Sequence, residues 1–161
     1  MGAIIVYKVN IVCMGTLKEK YFKDAQEEYL KRIKRFCDIK IVEFNENKLS
    51  QNPSQSEIDI SLNKECEMMT PYLKGKVFIL SLEGKEYSSE EFAKRVVSTF
   101  DNFDTITFVI GSSYGISQNL KSEFENICFS KMTFPHHLIR VFLEEQLYRA
   151  FTIKNNISYH K

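Results

Sequence analysis

Ile127-Cys-Phe-Ser-Lys-Met-Thr-Phe-Pro-His-His-Leu-Ile-Arg-Val-Phe-Leu-Glu-Glu-Gln-Leu-Tyr-Arg-Ala-Phe151, then a polar link, then Tyr159-His160-Lys161, is the stretch on which the fold turns. Ile127 to Phe129 is a short apolar run that suits a buried strand. Ser130 to Thr133 is a loop with a hydroxyl residue at each end. Pro135 has no N–H and a preset φ, so it predicts the first turn of a helix. Leu138, Ile139, Phe142, Leu143, Leu147 and Ala150 then recur at helical spacing and make one apolar stripe. Arg140 with Glu144, and Glu145 with Arg149, stand four apart, where opposite charges meet on a helix surface. His136-His137 is not read as a metal pair, because neighbours on a helix point about 100° apart.

The same alternation of strand and helix runs back through the chain. Val9, Ile11 and Cys13 mark a first strand that exits at Gly15. A helix is expected from Leu17 to Phe36, with Phe22, Ala25, Tyr29, Ile33 and Phe36 at steps of three and four. Its other face carries Lys20, Lys23, Lys31, Lys34 and Arg35, which reads as a solvated face or as a phosphate-contacting edge. Ile39, Ile41 and Phe44 mark a second strand. Asn45 to Ser56 is rich in Asn, Gln, Ser and Pro and reads as a loop. Ile58, Leu62, Cys66, Met69 and Leu73 make a helical stripe that closes near Pro71 and Gly75.

Val77 to Leu82 is a nearly all-apolar run, as in a central strand covered on both faces. Gly84-Lys85 is expected to turn the chain. Ser88-Ser-Glu-Glu91 holds a Ser-x-x-Glu capping box that starts a helix with Phe92, Val96 and Phe100 on its buried face. Thr105 to Ile110 reads as the fourth strand, Gly111 to Gly115 as a loop, Ile116 to Glu125 as a short helix and Ile127 to Ser130 as the fifth strand. Five strands alternating with five helices predict an α/β fold with a mostly parallel sheet of five to six strands flanked by helices.

Composition bounds what such a fold can do. A chain of 161 residues reads as one domain, able to bury roughly 70% of its unfolded surface. No apolar run reaches the roughly 20 residues needed to cross a bilayer. Met1 to Val6 is apolar but has no basic n-region, which argues against a signal peptide. Val6 also breaks the myristoylation pattern. Cys13, Cys37, Cys66 and Cys128 include no Cys-x-x-Cys pair, so zinc and dithiol roles lack support, and three of them lie in apolar patterns expected of buried thiols in a reducing cytoplasm. A net charge of +1 is low for a protein that grips naked nucleic acid by charge alone.

Open parallel sheets bind ligands beyond the carboxyl ends of their strands. Three such ends are chemically distinctive: Leu80-Ser-Leu-Glu-Gly-Lys85, Gly111-Ser-Ser-Tyr-Gly115 and Ser130-Lys-Met-Thr-Phe-Pro135. The middle loop lacks the Gly-x-Gly-x-x-Gly spacing of a dinucleotide site and the Gly-Lys-Ser/Thr of a P-loop.

The combination of Phe129-Ser-Lys-Met-Thr-Phe-Pro-His136, Arg140-Val141, Glu145-Gln-Leu-Tyr-Arg-Ala150 and the terminal Tyr159-His160-Lys161 closely resembles the RlmH family. These are bacterial methyltransferases of the SPOUT superfamily that modify a pseudouridine in large-subunit ribosomal RNA. The likeness extends from about Tyr7 onward, so residues 1–6 read as an extension ahead of the family's usual start. It implies a C-terminal trefoil knot, which general rules of topology would never propose. It implies a homodimer with the site at the interface, and a single SPOUT domain over residues 1–161. It implies S-adenosylmethionine as cofactor, held by Leu80, Gly111 and Phe129, Ser130, Lys131, Met132, Thr133 and Phe134. No metal is implied.

The expected reaction passes a methyl group to N3 of a pseudouridine in helix 69 of bacterial 23S ribosomal RNA, on the assembled ribosome. Arg149, Tyr159, His160 and Lys161 are the catalytic candidates that the resemblance supplies. Arg149 and Lys161 could hold phosphate or the anionic uracil, and Tyr159 could stack or hydrogen-bond. His160 is the candidate base, because its unperturbed pKa lies near neutrality. Two departures stand out. Lys161 takes the place of an arginine found in some members, which keeps the charge but loses the planar fork. The usual Ile-Gly-Gly reads Ile110-Gly111-Ser112, and a serine enters positive φ poorly. Ser112 therefore keeps open a second reading, a non-catalytic ribosome-binding or assembly protein that retains the fold.

Overall fold

Strand β4, Thr105–Ile110, is buried along its whole length and forms the middle of the sheet. The computed structural model describes residues 6–161. The proposed N-terminal extension lies outside them except for Val6, which is exposed. Among the described residues the strands are β1 (Lys8–Met14), β2 (Asp38–Phe44), β3 (Lys76–Glu86), β4 and β5 (Glu125–Cys128). They form one sheet in the order β2-β1-β4-β3-β5. Every pairing is parallel.

The helices are α1 (Lys20–Ile33), α2 (Gln55–Met69), α3 (Ser89–Thr99), α4 (Gln118–Glu123) and α5 (His136–Lys154), with a 3-10 turn over Thr70–Tyr72. Side chains alternate across a strand, so each strand feeds two cores. Val9, Ile11, Phe78, Ile106 and Phe108 face α1, α3 and α5 through Ile33, Phe92, Val96, Leu143 and Phe151. Val12, Met14, Val77, Ile79 and Val109 face the other way, toward Met69 of α2 and Leu120 of α4. Helices therefore cover both faces, which is why β4 is buried at every position and Val77 to Leu80 of β3 reads as a continuous apolar run.

Three expectations from the sequence are corrected. Gly84-Lys85 does not turn the chain: β3 runs on to Glu86, and a bulge lets both Leu80 and Lys85 lie opposite Ile127. The reason is close approach. A Cβ on Gly84 would stand 2.5 Å from the carbonyl carbon of Ile127, so only glycine lets the strand press on β5. The first and fourth helices are shorter than expected, Lys20–Ile33 and Gln118–Glu123. The α2 helix instead starts early, because Ser54 and Glu57 form a complete capping box inside the expected loop.

The buried face of α5 is also turned from the expected stripe. Arg140, Leu143, Glu144, Leu147, Tyr148 and Phe151 point inward, while Leu138 and Ile139 are half-buried and Phe142 is exposed. Arg140 does not pair with Glu144. Its guanidinium reaches the Glu43 carboxylate at the end of β2 and donates to the Gly15 carbonyl at 2.9 Å. That double attachment fixes the start of α5 over the exits of β1 and β2.

Candidate active site

β3 lies between β4 and β5 in the sheet, and its bulged stretch, with the loops that follow β4 and β5, walls one cleft of about 790 Å³. Leu80 to Glu83 form one wall, Ile110 to Ile116 the second, and Ile127 to Ser130 with Met132 to Pro135 the third. His136 and Ile139 close the floor from the first turns of α5. The third loop is held in shape by its own atoms: the Met132 N–H donates to Ser130 Oγ at 3.0 Å, a hydroxyl turn. Phe129 packs edge-on to Phe92 and Phe134 edge-on to Phe142, which anchors both ends of that loop.

Gly111 is needed by the loop itself. A Cβ there would meet the Gly115 carbonyl oxygen at 2.1 Å. Ser112 and Gly115 exchange backbone hydrogen bonds of 3.2 and 2.9 Å, so the loop is a tight closed turn. Positive φ falls on Gly115 (+91°), while Asn156 is the only non-glycine with positive φ among the described residues. Ser112 is thus unstrained, against the expectation from its sequence position. Its hydroxyl donates to Glu65 Oε2 at 2.9 Å, and both side chains are buried. Burial raises the Glu65 carboxyl, with the serine hydrogen bond opposing it.

Beneath the floor lies a polar cluster. Burial lowers the His136 and His137 imidazoles below the usual histidine range, although the Glu46 carboxylate lies 2.6 Å from His136. Glu144 is fully buried and neither carboxyl oxygen has a hydrogen-bond partner. Burial pushes it up to about 8, with Arg140 pulling the other way. Cys13, beside the same groups, is pushed up to about 12 by burial, which makes it an inert thiol.

At its far end α5 is stopped by Asn156 in the left-handed conformation, which asparagine tolerates. The Ile157 N–H bonds back to the Thr152 carbonyl at 2.9 Å, and the chain reverses. The tail is therefore not frayed. Tyr159 donates to Glu145 Oε1 at 3.0 Å and packs edge-on to Tyr148. Arg149 is held by the same Glu145 oxygen through Nε (3.1 Å) and Nη2 (2.6 Å), and its guanidinium lies over the Tyr159 ring. Its Nη1 lies 3.0 Å from His160 Nδ1, and His160 Nε2 lies 2.7 Å from Glu90 Oε1 on α3. Burial, then the bond to Glu145, pushes the Tyr159 phenol up to about 12. The hydrogen bond from His160 lowers the Glu90 carboxyl.

Two clusters emerge from the residues singled out in the sequence. Leu80, Gly111, Phe129, Ser130, Met132, Thr133 and Phe134 line the large cleft. Lys131 does not: its side chain is 89% exposed and lies 4.0 Å from Glu86. Arg149 and Tyr159 line a second hollow of about 470 Å³ with Tyr29, Val141, Phe142, Glu145 and Gln146. His160 adjoins it through Arg149, and Lys161 is exposed. Phe142, which packs on Phe134, borders both clusters, while the backbone of Arg149 stands about 15 Å along α5 from that of Ile139 at 1.5 Å per residue. Sequence reasoning passed over Glu90, which looks like an ordinary first-turn acid beside its capping box and meets the tail only through folding. It also took Glu145 for a helix-surface partner only.

Comparison with known proteins identifies the family. Residues 7–160 match the family described as "Predicted SPOUT methyltransferase". The chain is 46% identical over 158 residues to the ribosomal RNA large subunit methyltransferase H of Limosilactobacillus reuteri, covering 95% of this chain and 99% of that relative. It is 43% identical over 157 residues to the protein of the same name from Clostridium kluyveri, with the same coverage. A Streptococcus uberis protein, again so named, is 39% identical over 158 residues, covering 96% of this chain and 99% of its own. On that breadth of match, the chain belongs to the SPOUT methyltransferases and, within them, to the RlmH family.

Proposed function

We propose that this protein is an S-adenosylmethionine-dependent methyltransferase that modifies N3 of a pseudouridine in helix 69 of bacterial 23S ribosomal RNA, in the cytoplasm, on the assembled ribosome. One observation carries the reading: the three segments quoted from the sequence, the bulged stretch of β3 and the loops after β4 and β5, wall a single cleft. The names of the relatives support the substrate class, ribosomal RNA. The cleft suits the cofactor. Its volume lies within the roughly 300–1,000 Å³ of small-molecule sites. Leu80, Ile116 and Phe134 offer apolar surface for a purine, and the loop backbones offer N–H and carbonyl groups. A Cβ on Gly115 would meet nothing within 4 Å, so the turn leaves open space there.

When bound, the cofactor supplies a methyl group on a sulfonium sulfur. That methyl would pass to N3 of the uracil ring, leaving a neutral thioether, with the N3 proton passing to solvent water. The protein's part is to align the two partners and stabilise the uracil anion as its proton leaves. Arg149 has the charge for the second task. Three of its N–H groups are engaged by Glu145 and His160, and two remain for the substrate. Neither Arg149 nor the tail lines the cleft of its own chain, and the Arg149 backbone is about 15 Å along α5 from Ile139 on the cleft floor, whereas reacting atoms must come within about 3.5 Å. A second copy of the chain closes that distance: in the proposed two-fold dimer, one tail meets the partner's cleft, across exposed Met132 and Phe142. Leu147 of the apolar stripe is fully buried within its own chain and takes no part in that interface. The trefoil knot belongs to the same proposal, and the tight passage of β5 under Gly84 is compatible with it. The non-catalytic reading loses its ground, because Ser112 is unstrained and hydrogen-bonded.

Mass spectrometry of ribosomal RNA from cells lacking this protein tests the proposal. One methyl should vanish from a pseudouridine in helix 69 and return when purified protein and S-adenosylmethionine are added to the mutant ribosomes. An unchanged modification pattern would overturn it.

A further inference from the structure

The tail contains a hydrogen-bond chain whose direction can be read from donor chemistry alone. A guanidinium has only N–H donors and no acceptor. Arg149 Nη1 is 3.0 Å from His160 Nδ1, so that ring nitrogen must be the acceptor and must carry no proton. The other nitrogen, Nε2, lies 2.7 Å from the Glu90 carboxylate, which can only accept. Nε2 therefore carries the ring's proton. A doubly protonated ring would set an N–H against an N–H of Arg149. Lys161 is exposed, and Tyr159 directs its hydroxyl to Glu145. Glu90 and Arg149 are thus the charged groups that decide the state of the imidazole.

We propose that Glu90 is a positioning residue of the transfer site: its carboxylate accepts from Nε2 of His160 and so fixes which ring nitrogen carries the hydrogen, leaving the Nδ1 lone pair to orient Arg149. The inference rests on the function proposed above and deepens it. It also changes the part played by His160. A lone pair committed to a guanidinium is not free to take a proton from the substrate, so His160 orients the cation and is not the base. The order Glu90, His160, Arg149, Glu145, Tyr159 then forms a strap that joins α3, the tail and α5, with two N–H groups of Arg149 left to face a substrate anion. The arrangement has the logic of a carboxylate that fixes a histidine tautomer in a catalytic triad, but the far nitrogen serves a cation.

Nitrogen-15 NMR of the full chain tests the tautomer without any turnover. The protein has three histidines, so the resonances are assignable by single substitutions. In the wild-type protein near neutral pH, His160 should show a protonated Nε2 and a bare Nδ1. Glu90→Ala should mix the tautomers and slow single-turnover methyl transfer on ribosomes at least about tenfold, with cofactor affinity by calorimetry within about twofold. Glu90→Gln keeps an acceptor oxygen and should restore the tautomer and most of the rate. Glu90 takes no part in the Ser88–Glu91 capping box, so α3 keeps its start in both variants. A wild-type His160 protonated at Nδ1 would overturn the proposal, and so would a Glu90→Ala protein of unchanged rate, whatever its tautomer. If the wild-type protein transfers no methyl group to ribosomes, the proposed function fails instead, and the nitrogen spectrum still decides what Glu90 does to His160.

Discussion

The two ends of α5 are built on different principles. At the first, the large cleft is shaped by main chain: a closed turn at Gly111 to Gly115, a hydroxyl turn at Ser130 and a strand pressed onto its neighbour at Gly84. At the second, side chains interlock, and one Glu145 oxygen holds both Arg149 and Tyr159. A site made of backbone tolerates changes of side chain but not the addition of a Cβ where chains touch. A site made of side chains fails when any one is cut. Each half should therefore break in its own way.

The largest effect is expected from removing Tyr159 to Lys161. Methyl transfer should fall by about a thousandfold or more while cofactor affinity stays within a few-fold, read by single-turnover assay and calorimetry. Full activity of the truncated chain would erase the distinction between the two ends. Gly111→Ala attacks the other end. Its Cβ would stand 2.1 Å from the Gly115 carbonyl, so the turn must reopen. Cofactor affinity should drop about tenfold or more, with a stability loss of about 1–3 kcal/mol. Unaltered affinity would mean that the turn does not shape the cleft.

Glu144→Gln probes the middle of α5 and should affect transfer least. The folded-state pKa of Glu144, about 8, stands above its model-compound value of 4.5. The folded chain thus holds this proton more tightly than the unfolded chain. The stability it contributes is complete below the unfolded pKa and is lost as pH rises through about 8. Between those values wild-type stability should decline by about 1 kcal/mol per pH unit, and the glutamine variant should show a flatter profile in thermal melts. Parallel profiles would mean that Glu144 is ionised throughout.

Much of the fold was legible because parallel strands covered on both faces announce themselves. Thr105 to Ile110 was read to the residue, and the Ser88 capping box placed α3. The three cleft loops could be named because a parallel sheet directs attention to its carboxyl ends. What escaped had physical reasons. Gly84 carries the usual mark of a turn, yet the absent Cβ serves contact with β5. The inward face of α5 includes Arg140 and Glu144, and pattern reading assigns charges to the outside. Ser54 was within reach, since Ser-Gln-Ser-Glu57 is the same cap signal used at Ser88. The contacts of Glu90 with His160, 70 positions apart, leave no trace in local spacing.

The sheet order also governs how the protein comes into being on a translating ribosome. β5 is the last strand made, yet it supplies a wall of the cleft and pairs with β3, made far earlier. Until Glu125 to Cys128 leave the exit tunnel, a nascent chain shows β3 as an open edge, and such edges invite pairing with other chains. The capacity to hold a small molecule is thus acquired late in synthesis, and the same stretch of chain moves the exposed edge from the long β3 to the four-residue β5.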